Sequence, residues 1–157
     1  AVGLAFSARQ KKQAHRVFCM MGDGETCEGE IWEAANTAGS YKLGNLIGIV
    51  DRNKQLMTSF DNEYMNLEPY AAKWRAFNWD VVEIDGHDMN QIVDALDELP
   101  PVTARKPTMI LCNTVKGKGV SYMERNIGWH AGSLSKDDME KAIADVEAAW
   151  AKERSAA

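Results

Sequence analysis

Gly22-Asp23-Gly24-Glu25 closes the apolar run from Arg16 to Met21, and Asp51-Arg52-Asn53 closes a second apolar run from Leu46 to Val50. Each run has the length and content of a short buried strand. Each is followed by polar residues that turn the chain. One carboxylate, Asp23, and one amide oxygen, on Asn53, therefore stand at the ends of two successive strands. Hard oxygen ligands of this kind suit Mg²⁺, which keeps open positions for phosphate oxygens and water. Taken alone, Gly-Asp-Gly also makes a tight turn, with glycine supplying the backbone angles and Asp capping a helix. Asn53, at the end of the next strand, favours a ligand pair over a bare turn.

Outward from these two strand ends the chain alternates between strand and helix patterns. Ala1 to Ala14 carries small apolar and polar residues at helical spacing, with Lys11 and Lys12 at its basic end. Glu28 to Leu43 reads as a helix, with Ile31, Trp32, Ala35 and Ala38 at helical intervals and Gly44-Asn45 as its stop. Asn53 to Asn66 has no clear period and reads as a loop. Pro69 opens a short helix carrying Tyr70, Trp74 and Phe77, a spacing that points to core or subunit interface. Trp79 to Ile84 reads as a third strand, Met89 to Leu99 as a helix stopped by Pro100-Pro101, and Thr108 to Val115 as a fourth strand. A polar, glycine-containing stretch runs on to Gly132, and Ser133 or Ser135 opens a final amphipathic helix.

This alternation predicts an α/β fold, a mainly parallel sheet with helices on both faces. The segments Gly22–Gly24, Asp51–Asn53, Asp85–His87 and Lys116–Gly119 all follow strands. They gather at the carboxyl edge of the sheet, where open α/β folds bind ligands.

Composition narrows the class. The chain has 157 residues, 45% of them apolar and 26% charged, ordinary for one globular domain with its own core. The net charge is −5, from 18 basic and 23 acidic residues, with no basic cluster. That argues against nucleic acid and against an anionic membrane surface as partners. No apolar run approaches the roughly 20 residues that span a bilayer, and no signal peptide is legible at the start. Cys19, Cys27 and Cys112 are odd in number and lack metal-site spacing, which reads as small buried residues in a reduced cytosol.

The run GDGETCEGEIWEAANTAGSYKLGNLIGIVDRN, residues 22–53, resembles the thiamine-diphosphate (ThDP) motif of transketolases, most of all the N-terminal subunit of the split, two-gene type. The likeness extends from the opening AVGLA to Gly128-Trp129-His130. It implies the ThDP-binding fold of a diphosphate-binding (PP) domain over residues 1–157, lacking a leading segment. It implies reversible transfer of a two-carbon ketol unit between sugar phosphates, with the cofactor as carbanion stabiliser. The partner implied is a second chain carrying the pyrimidine-binding domain, in an α2β2 heterotetramer located in the cytoplasm.

The resemblance also implies roles. Asp23, Asn53 and the backbone carbonyl of Gln55 would bind Mg²⁺ or Ca²⁺. Gly22, Asp23, Gly24, Glu25, Asn53 and His130 would surround the cofactor. His130 and Glu28 would be the catalytic residues, His130 near the reacting centre and Glu28 at the subunit interface in proton communication. Glu28 also reads as an acidic residue at a helix N-terminus, Glu25 as a solvated one, and His130 as a surface loop histidine. The chain departs from the family after Asn53, where Lys54-Gln55-Leu56 and then Thr58-Ser59 replace the usual glycine, apolar residue and later Asp-Gly.

Elsewhere, His87 reads as a turn and helix-start element. Lys116-Gly117-Lys118-Gly119 lacks Walker spacing and reads as a wall of the diphosphate site, with Lys118 a candidate phosphate contact. Competing assignments are another ThDP enzyme, such as deoxyxylulose-phosphate synthase or a 2-oxo acid dehydrogenase first component, and a non-catalytic assembly protein. Because no Gly-x-Gly-x-x-Gly follows a strand, a nicotinamide-binding domain is disfavoured.

Overall fold

The computed structural model describes residues 1–56 and 65–156. The altered positions Thr58-Ser59 lie outside the described residues. Four strands, β1 (Val17–Gly22), β2 (Leu46–Arg52), β3 (Asp80–Asp85) and β4 (Thr108–Asn113), form one sheet in the order β1-β2-β4-β3. Every pairing is parallel. The middle strands are the reason: Leu46 to Val50 and Thr108 to Leu111 are apolar and largely buried on both sides, as a covered parallel sheet requires.

Helices cover both faces, as expected. On one face α1 (Val2–Gln10), α2 (Gly29–Ser40) and α3 (Tyr70–Ala76) pack Ala5, Ala35, Ala38, Tyr70 and Trp74 onto Met21, Leu46, Val50, Met109 and Leu111. On the other, α4 (Met89–Asp97) sets Ala95 and Ile92 against Ile47, Ile84 and Ile110. The first face is locked by aromatic contacts. Trp74 lies 5.0 Å from Trp32 and 5.2 Å from Trp79 between ring centroids, and the Trp79 indole donates to the Ala35 carbonyl at 2.9 Å. Cys19, Cys27 and Cys112 pack beside these cores but are half-buried, short of the full burial expected of them.

Several helix ends fall short of the expected ones, for local reasons. The first helix stops at Gln10 because Lys11 is its C-cap and Lys12 turns left-handed at φ 53°, so neither lysine sits in the last helical turn. The second ends at Ser40, and the left-handed residue that closes it is Lys42 (φ 57°), not Gly44. Gly44 is needed for another reason: a Cβ there would lie 2.1 Å from the Ala104 carbonyl oxygen. Pro69 is the N-cap of α3 rather than its first residue. The last helix, α5, runs Lys136–Ala156 and starts at Ser135, whose hydroxyl accepts the Asp138 N–H while Asp138 accepts from the Ser135 N–H.

The register aligns the carboxyl ends of the strands. Gly22 lies opposite Asp51, Arg52 opposite Asn113, and Asp85 opposite Asn113. The ladder continues one step further, from the Asp23 N–H to the Asp51 carbonyl at 3.2 Å and from the Thr114 N–H to the Arg52 carbonyl at 3.1 Å. The four polar segments read from the sequence therefore do leave the sheet at one edge.

Candidate functional site

Asp23 is the first residue past β1 and is buried. Its Oδ1 accepts the Gly24 N–H at 2.8 Å, and its Oδ2 accepts the Lys54 N–H at 2.5 Å. That second bond joins the end of β1 to the residue after Asn53, so the two strand-end loops meet. Asn53 is half-buried, and its Oδ1 accepts the Gln55 N–H at 2.9 Å. Gln55 is buried, and neither atom of its side-chain amide has a hydrogen-bond partner among the described residues.

Lys54 holds φ 63°, the left-handed region that favours glycine. The resemblance implies glycine here, and this chain takes the left-handed angle with a lysine.

The glycines around Asp23 serve no backbone need. Neither has a positive φ; Gly24 sits at φ −60°, ψ −38°, open to any residue. A Cβ at Gly22 would meet nothing within 4 Å, and one at Gly24 would meet only Leu56, with Cδ2 at 3.2 Å. Reading Gly-Asp-Gly as a turn that needs glycine angles therefore finds no support in the backbone. The missing side chain leaves open space at Gly22 and room for the Leu56 side chain at Gly24.

The turn is fixed from beneath. Thr26, fully buried, donates its hydroxyl to the Asp23 carbonyl at 2.6 Å and lies 2.8 Å from the Tyr70 hydroxyl. Burial pushes the Tyr70 phenol up to about 12. Glu25 is exposed, and its Oε2 accepts the Gly22 N–H at 3.1 Å. Glu28 is exposed at the N-cap of α2 and makes no side-chain cap.

A polar cleft of about 710 Å³ opens over β2, β4 and β3. Asn53, Lys54, His87, Lys118 and Arg125 line it, with Arg52 at its base. Arg52 is buried, ion-paired with Glu68, and its guanidinium lies 5.5 Å over the Tyr70 ring. From the Lys116–Gly119 loop, Lys118 is the residue that lines this cleft. His87 does more than start a helix: its Nε2 accepts the Val115 N–H at 2.8 Å and pins the start of the Lys116–Gly119 loop. Asp88, not His87, caps α4, through the Asn90 and Gln91 N–H groups.

Of the expected site residues only Asn53 lines this cleft; Gly22, Asp23, Gly24, Glu25, Gln55, Glu28 and His130 do not. His130 follows a short 3₁₀ turn, Ile127–Trp129, and its buried Nδ1 has no hydrogen-bond partner among the described residues. Hydrogen bonds tie Asp23 to Gly24 and Lys54, and Asn53 to Gln55, while Glu28 stands at the N-cap of α2 and His130 after the Ile127–Trp129 turn. Two hard oxygen donors on touching loops, beside a cleft with cations at Lys54, Lys118 and Arg125, suit a divalent ion carrying a polyanionic ligand.

Residues 6–153 match the family model described as transketolase, thiamine diphosphate binding domain. The chain belongs to the transketolase family. This transketolase domain is 40% identical over 145 residues to one subunit of an apulose-4-phosphate transketolase from Phocaeicola vulgatus, covering 92% of this chain and 51% of that protein. It is also 40% identical over 147 residues to the 6-deoxy-6-sulfo-D-fructose transketolase subunit SqwG from a Clostridium species, covering 94% and 53%. The crystal structure of Campylobacter jejuni transketolase superposes with a TM-score of 0.85 at 29% identity, covering 93% of this chain and 24% of that one. The chain thus spans about half the length of these two subunit relatives. Among the described residues, no helix is long and apolar enough to cross a membrane, and no three His, Cys, Asp or Glu side chains group to hold a metal by themselves.

Three contacts around the site escaped the sequence: the Thr26–Tyr70 pair, the Arg52–Tyr70 contact and the His87–Val115 bond. Each joins residues distant in the chain. Only the placement of Thr26 just past Asp23 gave a local signal.

Proposed function

We propose that this chain is the diphosphate-binding subunit of a two-chain transketolase. Residues 1–157 act as one thiamine-diphosphate-binding domain. A second chain with a pyrimidine-binding domain completes the active site, in an α2β2 assembly working in the cytoplasm. The observation that carries this reading is the bond from the Lys54 N–H to Asp23 Oδ2, which brings the acid and the amide onto touching loops. The oxygen donors and the space at Gly22 fit a divalent ion and a diphosphate.

Asp23, Asn53 and the Gln55 carbonyl hold Mg²⁺ or Ca²⁺ in this reading, and the ion neutralises phosphate charge that Asp23 would otherwise repel. The turn in which the Gly24 N–H holds Asp23 Oδ1 receives the diphosphate, with Gly22 and Glu25 beside it and Lys118 as a further phosphate contact. When bound, thiamine diphosphate supplies the carbanion stabilisation needed to break and remake a ketose carbon–carbon bond. His130 moves a proton at the substrate oxygen, a task suited to imidazole near neutral pH. Glu28, exposed at the start of α2, meets the neighbouring protomer and links the active sites. The two subunit relatives are named for a phosphorylated and a sulfonated sugar, which supports a sugar phosphate or similar anionic ketose as donor.

The test is to purify the chain with the polypeptide that accompanies it, and to assay two-carbon transfer from ketose phosphates with ThDP and Mg²⁺. The pair should transfer the ketol unit and the chain alone should not. Turnover by the chain alone, or 2-oxo acid decarboxylation by the pair in place of ketol transfer, contradicts the proposal.

A further inference from the structure

We infer that Tyr70 is a positioning residue that sets the spacing of the two metal-binding loops and so selects Mg²⁺ over Ca²⁺. The inference rests on the cofactor reading above. Tyr70 is the first residue of α3, fully buried, and it reaches both loops at once.

Its link to the Asp23 loop has a definite direction. The Thr26 hydroxyl has one proton, and the Asp23 carbonyl 2.6 Å away accepts it. Thr26 must therefore accept from Tyr70 across their 2.8 Å contact. The chain runs from Tyr70 O–H to Thr26 O–H to the Asp23 carbonyl, which also accepts the Thr26 N–H at 3.1 Å. A trans peptide is planar, so its N–H points opposite to its carbonyl. Holding the Asp23 carbonyl inward turns the Gly24 N–H the other way, where it meets Asp23 Oδ1. One buried hydroxyl pair thus orients both the carboxylate and the amide beside it.

The link to the Asn53 loop runs through Arg52. The Tyr70 N–H donates to Glu68 Oε2 at 3.0 Å, Glu68 pairs with Arg52, and the Arg52 guanidinium lies 5.5 Å over the Tyr70 ring. Arg52 ends β2 and precedes Asn53 directly. Tyr70 is therefore shared by the residues that set both ligands.

Mg²⁺ demands near-ideal octahedral geometry at short distances, whereas Ca²⁺ accepts longer and looser arrangements. A site whose loops lose their common anchor should lose Mg²⁺ first. The experiment measures ThDP dissociation constants on the purified two-chain complex by calorimetry, with Mg²⁺ and with Ca²⁺ in parallel, alongside denaturant unfolding. Tyr70→Phe and Thr26→Val should each weaken Mg²⁺-supported binding about tenfold or more, in the range typical of groups that orient metal ligands. Ca²⁺-supported binding should fall less than about threefold. Thr26→Ser, which keeps the hydroxyl, should keep the wild-type ratio. A purely structural role would lower both affinities together, and an unchanged Mg²⁺-to-Ca²⁺ ratio in both variants overturns the inference. If the wild-type complex binds ThDP with no need for a divalent ion, the cofactor reading itself falls and takes this inference with it.

Discussion

Replacing Gly24 by alanine separates a glycine kept for the fold from one kept for a ligand. At φ −60°, ψ −38° the backbone accepts alanine without strain. Such a Gly→Ala change stabilises by about 0.4 to 1 kcal/mol, through the lower entropy of the unfolded chain. The new methyl meets only Leu56, with Cδ2 at 3.2 Å, and that side-chain end needs to yield by a few tenths of an ångström. A contact of this kind costs roughly half a kcal/mol, well below full overpacking. The two effects nearly cancel, so the unfolding free energy of Gly24→Ala should lie within about 0.5 kcal/mol of wild type. Binding should respond differently. In the proposed complex the diphosphate rests at this turn, and a methyl there crowds it. Loss of one close charge-assisted contact is worth about 1.5 to 3 kcal/mol, roughly a tenfold to hundredfold weaker ThDP affinity. Denaturant unfolding and calorimetric titration of the same preparation read both quantities. A stability loss above about 2 kcal/mol with unchanged affinity would refute the reasoning, because Gly24 would then serve the chain and not a ligand.

Other expectations follow from single residues. Lys54→Gly should raise stability by about 0.5 kcal/mol, since the left-handed penalty of roughly 1 to 2 kcal/mol slightly exceeds the entropy cost of glycine; denaturant midpoints decide it, and a clear loss counts against strain at φ 63°. Gly39→Ala should destabilise by about 3 kcal/mol or more, because its Cβ would stand 1.9 Å from the Phe77 carbonyl oxygen, a backbone atom that cannot swing away. Tyr70 should titrate near 12 in the folded protein, above its ordinary 10.0, because burial disfavours the phenolate. Its raised value favours the neutral form in the folded state, so its contribution of about 2 to 3 kcal/mol is complete below pH 10 and is lost as pH climbs toward 12. Phenolate absorbance of wild type, compared with Tyr70→Phe, should show the Tyr70 component appearing late, toward pH 12.

The strands, and the meeting of the Asp23 and Asn53 loops, were legible because a covered parallel sheet writes itself as contiguous apolar runs, and the polar residues that end those runs must cluster at one edge. Helix ends were less legible. Lys12 and Lys42 adopt left-handed angles that their side chains do not announce, and each closes a helix earlier than the pattern suggests. The 3₁₀ turn Ile127–Trp129 is too short to carry a period. The role of Tyr70 was hidden for another reason. At i, i+4, i+7 with Trp74 and Phe77 it reads as core, which it is; that its hydroxyl also reaches Thr26, far back in the chain, depends on how α3 lies on the sheet. His87 was half-read: Asp-Gly-His-Asp marks a helix start, yet the imidazole faces the next strand's exit at Val115. The glycines of Gly-Asp-Gly were legible as a motif but not in their purpose, since only the backbone angles show that the chain itself does not require them.

The most direct measurement titrates thiamine diphosphate into the two-chain complex with Mg²⁺, with Mg²⁺ removed by chelation, and with Asp23→Ala or Asn53→Ala in place of wild type. Saturable heat that disappears on chelation and in both variants, with each variant still folded at the titration temperature by circular dichroism, is the predicted result. Undiminished binding without the ion, or in the two variants, would contradict the joint grip of Asp23 and Asn53 on a cation.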